Sequence, residues 1–196
     1  MSFTTTPKKI TEEIKNFCAK VNPKTSPFYV DVVPGPYSSI KNCFSNVREQ
    51  VKTEGGKPVL GWTIWGWPNL IIEAEFHCVW ENDDGETLDI TPLLDKESQI
   101  LFLPDGKISL DLALTKKVHN IRHVLTKDPL FKEYISICEK MNDIEDESDH
   151  APVGSPLGFL QAKVQLAIWK KYVSKNDPCP CSSGKKFKKC CLNRTI

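Results

Sequence analysis

In the stretch Leu70-Ile71-Ile72-Glu73-Ala74-Glu75-Phe76-His77-Cys78-Val79-Trp80, residues Leu70, Ile72, Ala74, Phe76, Cys78 and Trp80 alternate with Ile71, Glu73, Glu75, His77 and Val79. Period two over that length predicts a β-strand with one buried face. The even set is the apolar one, so Glu73, Glu75 and His77 are expected together on the opposite, polar face. The turn Glu81-Asn82-Asp83-Asp84-Gly85-Glu86 follows, and then Thr87-Leu88-Asp89-Ile90-Thr91. A three-residue loop Asp83-Asp84-Gly85, with glycine in the left-handed position, pairs Trp80 with Leu88 and Val79 with Asp89. A slip of one residue would bury half the charges. In this register Asp89 shares the face of His77 and lies diagonal to it, within reach of the imidazole. Upstream, Gly61 to Asn69 carries Trp62, Trp65 and Trp67. They are expected in the core, the alternative being a tryptophan-lined groove.

The chain of 196 residues suits one domain of ordinary size plus a small appendage. Its net charge of +1 hides an asymmetry, because from Lys170 onward seven lysines and Arg194 face Asp177 alone. A basic tail on an acidic body suggests a tail that meets an acidic partner such as RNA, anionic lipid or an acidic protein face. No segment approaches the ~18 consecutive apolar residues of a membrane span. The start, Met1-Ser2-Phe3-Thr4-Thr5-Thr6-Pro7-Lys8-Lys9, lacks the apolar centre of a signal peptide. Four of the eight cysteines cluster in the tail, and Cys18, Cys43, Cys78 and Cys138 are scattered in apolar patterns. That usage fits a reducing compartment, and the expected location is cytoplasmic.

Helical spacing of Ile10, Ile14, Phe17, Cys18 and Val21 predicts a helix over Thr11 to Lys20, capped by Thr11. Pro23, Pro27, Pro34 and Pro36 then enforce an extended or turning path. Phe44, Val47 and Val51 mark a second helix that ends at Gly55-Gly56, with Asn42 or Ser39 as its N-cap. Gln99 to Leu103 reads as a short strand. Leu112, Val118, Ile121 and Val124 predict a helix from Leu110 to about Leu125, and Asp128-Pro129 restarts another. The acidic run Asn142 to Asp149 is expected as a solvated loop. A last helix is expected from Phe159 to about Lys175. The fold class is then α+β: an antiparallel sheet of three to five strands flanked by helices in residues 1–150, a linker and connector helix over 151–176, and a small unit over 177–196.

That unit contains Cys179-Pro180-Cys181 and Cys190-Cys191 around Ser182-Ser183-Gly184-Lys185-Lys186-Phe187-Lys188-Lys189. Two thiolate pairs eight residues apart can wrap one tetrahedral Zn²⁺ with Cys179, Cys181, Cys190 and Cys191 as ligands. The lysines offset the charge of four thiolates, and metal binding supplies the folding energy of so small a segment. The pattern resembles the SEC-C motif found at the C-terminus of the preprotein translocase motor and in many small bacterial proteins. That resemblance implies a structural zinc and a docking role toward a protein partner or the ribosome. The lysines around Phe187 would equally suit RNA phosphates.

Cys43 is the one candidate nucleophile. In the first turn of a helix its thiolate would gain from the dipole and the unpaired N–H groups, which could also serve as an oxyanion hole. The order Cys43, His77, Asp89, on helix, strand and strand, resembles the transglutaminase-like and papain-like thiol enzymes. By that resemblance Cys43 is the nucleophile, His77 the general base and acid, and Asp89 the orienting carboxylate. The implied activity is a thiol hydrolase or acyl transferase acting on amide or peptide bonds. The rival is a non-enzymatic adaptor that binds a protein or nucleic acid through its tryptophan-rich domain and basic zinc tail. On that reading Cys43 is inert core, His77 a strand histidine and Asp89 a surface acid. Glu73 and Glu75 would line the same face, there to bind a cation, to raise the histidine pKa, or simply to be solvated. His119 and His123, four apart, suit a bland helix surface better than a metal site. The sequence contains no phosphate-binding glycine loop, no serine-centred nucleophile elbow and no internal repeat.

Overall fold

A computed structural model describes residues 4–94, 96–107, 109, 118–148 and 154–194. The strand read from the alternation pairs on both sides, and its longer partner is the tryptophan-bearing stretch before it. Strands β2 (Lys57–Trp67) and β3 (Ile71–Glu81) pair antiparallel from Lys57 opposite Glu81 to Trp67 opposite Ile71. After the turn at Gly85, β4 (Thr87–Asp89) sets Leu88 opposite Trp80 and Thr87 opposite Glu81, the register expected from the alternation. Strand β5 (Gln99–Pro104) runs antiparallel to both β2 and β1 (Phe28–Val32). β1 in turn lies parallel to β4.

The strand order β2-β5-β1-β4-β3 closes through the β2–β3 pairing into a five-strand barrel. A sixth strand, β6 (Ile121–Val124), adds beside β3. This corrects the expectation of an antiparallel sheet with one polar face. Closure buries both faces of β3. Val30, Trp65, Val79, Ile100 and Phe102, from four different strands, pack on one another across the interior. On the other face Cys78 and Ile90 pack with Cys43 and Val47 of helix α2 (Cys43–Glu54). Of the odd-numbered set of β3, Ile71, His77 and Val79 are therefore buried, with His77 only 9 % exposed, while Glu73 is half-buried and Glu75 remains exposed.

Gly61 marks a close approach in this closed sheet, paired with His77 on one side and Pro104 on the other. A Cβ there would lie 2.3 Å from the Leu103 carbonyl oxygen and 2.6 Å from Phe102 Cζ. Gly61→Ala is therefore expected to destabilise the chain by about 1–3 kcal/mol. The measurement is the urea-denaturation midpoint, and an unchanged midpoint would contradict the crowding.

Helix α1 (Glu12–Val21) buries Ile14, Phe17 and Cys18, and the Thr11 hydroxyl caps it by accepting from the Ile14 amide. α2 stops at Gly55, whose φ of 76° is costly for any residue with a Cβ. The helix expected between Leu110 and Leu125 is corrected in part: Ile121 to Val124 is strand, and residues 110–117 lie outside the described residues. Ile121 and Val124 are β-branched, and ties from the same segment to β3 override the helical spacing. Arg122 Nε meets Glu73 Oε1 at 2.8 Å, and Asn120 Nδ2 donates to the same oxygen at 2.9 Å. The acidic run is likewise not a loop, because α3 (Pro129–Ser148) continues through it. From Asn142 to Ser148 no glycine or proline breaks the helix, and glutamate is a good helix former.

The chain divides into two compact units, one through His123 and one from Val124 onward. α3, counted by its sequence position with the main domain, clusters with the C-terminal unit. There α4 (Pro156–Tyr172) is capped by Ser155, whose hydroxyl accepts from the Gly158 amide at 3.1 Å. Asp128 joins the two helices, with Oδ1 accepting from the Leu130 amide and Oδ2 from the Tyr172 hydroxyl and Lys171.

Candidate thiol site and metal centre

Cys43 opens α2, as its place after Asn42 predicts. Lys41 takes a left-handed φ of 64° just before it. The Asn42 side chain makes no cap, since its Nδ2 donates to Ser39 Oγ at 2.9 Å. The first-turn N–H groups around Cys43 therefore receive no side-chain cap from it. The Cys43 side chain is near enough to the His77 imidazole to favour its charged form. On the far side of the ring, His77 Nε2 meets Asp89 Oδ2 at 3.0 Å, and Asp89 is fully buried. With Nε2 committed to Asp89, Nδ1 is the nitrogen left for the thiol. The second carboxylate oxygen, Oδ1, accepts from the Thr91 amide at 2.9 Å. His77 and Asp89 are thus in direct contact, and Cys43 packs against Cys78, the neighbour of His77 on β3.

Two opposing effects act on the imidazole. Burial works to lower its pKa, as it does for any cation leaving water. The charge and hydrogen bond of Asp89, with a smaller contribution from Cys43, outweigh that and hold His77 well above the ordinary imidazole range. Other cysteines of this unit are held inert. Burial pushes the Cys18 thiol up to about 11, and burial with the nearby Cys43 and Asp89 charges pushes Cys78 further up.

The remaining candidates are occupied elsewhere. Glu73 is taken by Arg122 and Asn120, and Glu75 Oε2 accepts from Trp65 Nε1 at 2.8 Å. Trp62 is buried, donates to Asp105 Oδ2 at 3.1 Å and packs edge-on against Phe76. Trp62 and Trp65 are therefore core residues, not a groove. His119 and His123 stand on no helix, and His123 stacks on Phe17. Two polar residues escaped the sequence reading. Asn46 Nδ2 donates to Thr91 Oγ1 at 3.2 Å, within a buried pair that joins α2 to the segment after β4. The available signal was an asparagine placed on the helical stripe between Cys43 and Val47.

In the C-terminal unit the four tail cysteines converge, with sulfur atoms all within 4.8 Å of one another. Cys179–Cys181, Cys181–Cys190 and Cys190–Cys191 separations are 3.3, 3.4 and 3.8 Å. Four ligands at ~2.3 Å in a tetrahedron place their sulfurs roughly 3.8 Å apart, so the set fits one thiolate-bound ion. The backbone builds this cage. Ser182 and Gly184 take left-handed φ values of 59° and 70°, and the Cys179 amide donates to the Lys185 carbonyl at 2.8 Å. Phe187 is fully buried beneath it. Burial raises the Cys181 thiol, but hydrogen bonds from Ser183, Cys179 and Cys190 bring it down to about 6.

The C-terminal segment is thus a four-cysteine knuckle able to hold a metal ion. Its pattern is that of the SEC-C motif, which matches residues 176–193. Among similar proteins, the protein translocase subunit SecA of Geobacter metallireducens is 44 % identical over 54 residues, covering 27 % of this chain and 6 % of its own. SecA 1 of Alkaliphilus metalliredigens is 36 % identical over 59 residues, 30 % of this chain and 7 % of its own. SecA of Campylobacter curvus is 28 % identical over 102 residues, 51 % of this chain and 11 % of its own. The chain therefore spans only a small part of the length of these relatives. No solved structure matches it. Among the described residues no helix is long and apolar enough to cross a membrane.

Proposed function

We propose that residues 4–123 form a thiol hydrolase or acyl transferase acting on amide or peptide bonds. Cys43 is the nucleophile, His77 the general base and acid, and Asp89 the orienting carboxylate. The observation that supports this reading most is the His77 ring, set between a helix-start thiol and a buried carboxylate. The Cys43 thiolate attacks the carbonyl carbon, and the oxyanion is met by first-turn N–H groups of α2. Imidazolium gives its proton to the departing amine as the C–N bond breaks, leaving a thioester. Water or a second amine, deprotonated by His77, then attacks the thioester and frees Cys43.

The knuckle is proposed to hold a structural Zn²⁺, since four protein thiolates leave no open position for chemistry. Lys185, Lys186, Lys188 and Lys189 then present a basic surface for docking on a protein partner, the ribosome or RNA, with the whole chain acting in the cytoplasm. The rival adaptor reading draws less support from the tryptophans, because Trp62 and Trp65 are buried and Trp67 is half-buried.

The test is iodoacetamide labelling at neutral pH with the metal retained, resolved by peptide mass spectrometry. Cys43 is expected to react at least about tenfold faster than Cys18, Cys78 and Cys138. Equal sluggishness of all four would end the enzyme reading.

A further inference from the structure

The nucleophile and the orienting acid sit on separate pieces of chain, and three-group chemistry tolerates little drift between them. One polar link spans the two. Asn46 follows Cys43 by a single turn of α2 and is buried. Its Oδ1 accepts from the Ser39 amide at 3.1 Å, and its Nδ2 donates to the Ser39 carbonyl at 2.8 Å and to Thr91 Oγ1 at 3.2 Å. Thr91 is also buried, and its amide donates to Asp89 Oδ1 while Asp89 Oδ2 meets His77 Nε2. These contacts form a chain from His77 through Asp89 and Thr91 to Asn46, which lies one turn of α2 beyond Cys43.

Its members are set among apolar neighbours. Val47, next to Asn46, is fully buried, and Cys78 and Ile90 pack beside it. A leucine at position 46 would join that cluster without any polar group to satisfy. An asparagine there carries a desolvation cost that only its partners offset. The same residue also holds Ser39, on the segment that leads into Cys43.

We propose that Asn46 and Thr91 are positioning residues of the thiol site, an inference that rests on the thiol-enzyme reading. Thr91 fixes the rotation of the Asp89 carboxylate through its amide. Its hydroxyl, held by Asn46, fixes how far the Cys43 end of α2 stands from that carboxylate. Neither residue touches the reacting atoms. Their effect reaches Cys43 through the aim of His77.

Thr91→Val deletes the hydroxyl and keeps the shape and the amide. Thr91→Ser keeps the hydroxyl as the conservative rescue, and Thr91→Ala repeats the deletion in a smaller side chain. The measurement is the rate of Cys43 alkylation by iodoacetamide in the full chain from about pH 5 to about pH 9, a range that brackets ordinary imidazole and thiol titration. Thr91→Val and Thr91→Ala are expected to slow alkylation by about three- to tenfold, the range one buried hydrogen bond spans, chiefly on the acid side. Thr91→Ser is expected to restore a profile close to that of the wild type. A Thr91→Val profile superimposable on the wild type would overturn the positioning role while leaving the thiol reading intact. A wild-type Cys43 that reacts like an ordinary thiol would instead remove the thiol reading, and this inference with it.

Discussion

Replacing His77 with alanine is expected to slow iodoacetamide modification of Cys43 by on the order of 10²-fold at pH 6, and by only a few-fold at pH 9. The asymmetry follows from ionisation. At pH 6 an ordinary thiol is ionised to about one part in 300, so a cysteine reacting quickly there needs a cation beside it. On the proposed thiol-enzyme reading His77 supplies that cation, because Asp89 favours its protonated form beyond the usual imidazole range. A folded-state pKa raised in this way keeps the paired state present at acidic and neutral pH, and the pairing is lost as pH rises through that value. Asp89→Asn should act in the same direction and more weakly. Without the carboxylate charge, burial lowers the imidazole unopposed, while the amide still orients the ring. A loss of equal size at every pH would mean that the substitutions changed access to Cys43 and not its ionisation. Turnover of an amide substrate, once one is found, should fall by on the order of 10²–10⁴-fold in His77→Ala.

The second large effect concerns the tail. Stripping the metal with a strong chelator is expected to unfold the segment around Cys179–Cys191 while the barrel keeps its tryptophan fluorescence. The knuckle has almost no core of its own beyond Phe187 and the cysteines Cys179 and Cys191. Thiolate-bound zinc contributes an apparent ~10–16 kcal/mol in comparable small units, which exceeds any packing such a segment can offer. Cys190→Ser, leaving three thiolates, should bind metal far more weakly and expose the lysine-rich loop to trypsin. Atomic emission on the purified chain would show one zinc per molecule, and a tail that stays protease-resistant after metal loss would refute this account.

The parts of the site that could be read from the sequence are those set by local rules. The alternation in β3 and the Asp83-Asp84-Gly85 turn fix the Trp80–Leu88 pairing, and that pairing brings Asp89 beside His77. The Gly55 stop and the Asn42-Cys43 boundary place the thiol at a helix start. The tail cysteines were legible because chelation demands their spacing. Barrel closure was not. It depends on β1, five residues between prolines, finding both β5 and β4, and no local pattern announces a parallel pairing between distant strands. Without closure the face bearing Glu73, Glu75 and His77 looks solvated throughout, whereas Glu75 alone of the three stays exposed and His77 is buried. Asn46 and Thr91 escaped for a related reason. Each is ordinary in its own element, and their meaning arises only where the two elements meet.

The pairing of β5 with both β1 and β2 implies an order of events for the newborn chain. The β2–β3–β4 stretch can form locally, bringing His77 beside Asp89. The ring itself closes only when β5, later in the chain, has paired with β1 and β2. Contacts between such distant residues form slowly, typically in milliseconds to seconds. A chain still emerging from synthesis therefore carries Cys43 before the barrel that encloses its partners exists. On the proposed reading, the rate at which Cys43 acquires its reactivity after dilution from denaturant should report ring closure itself.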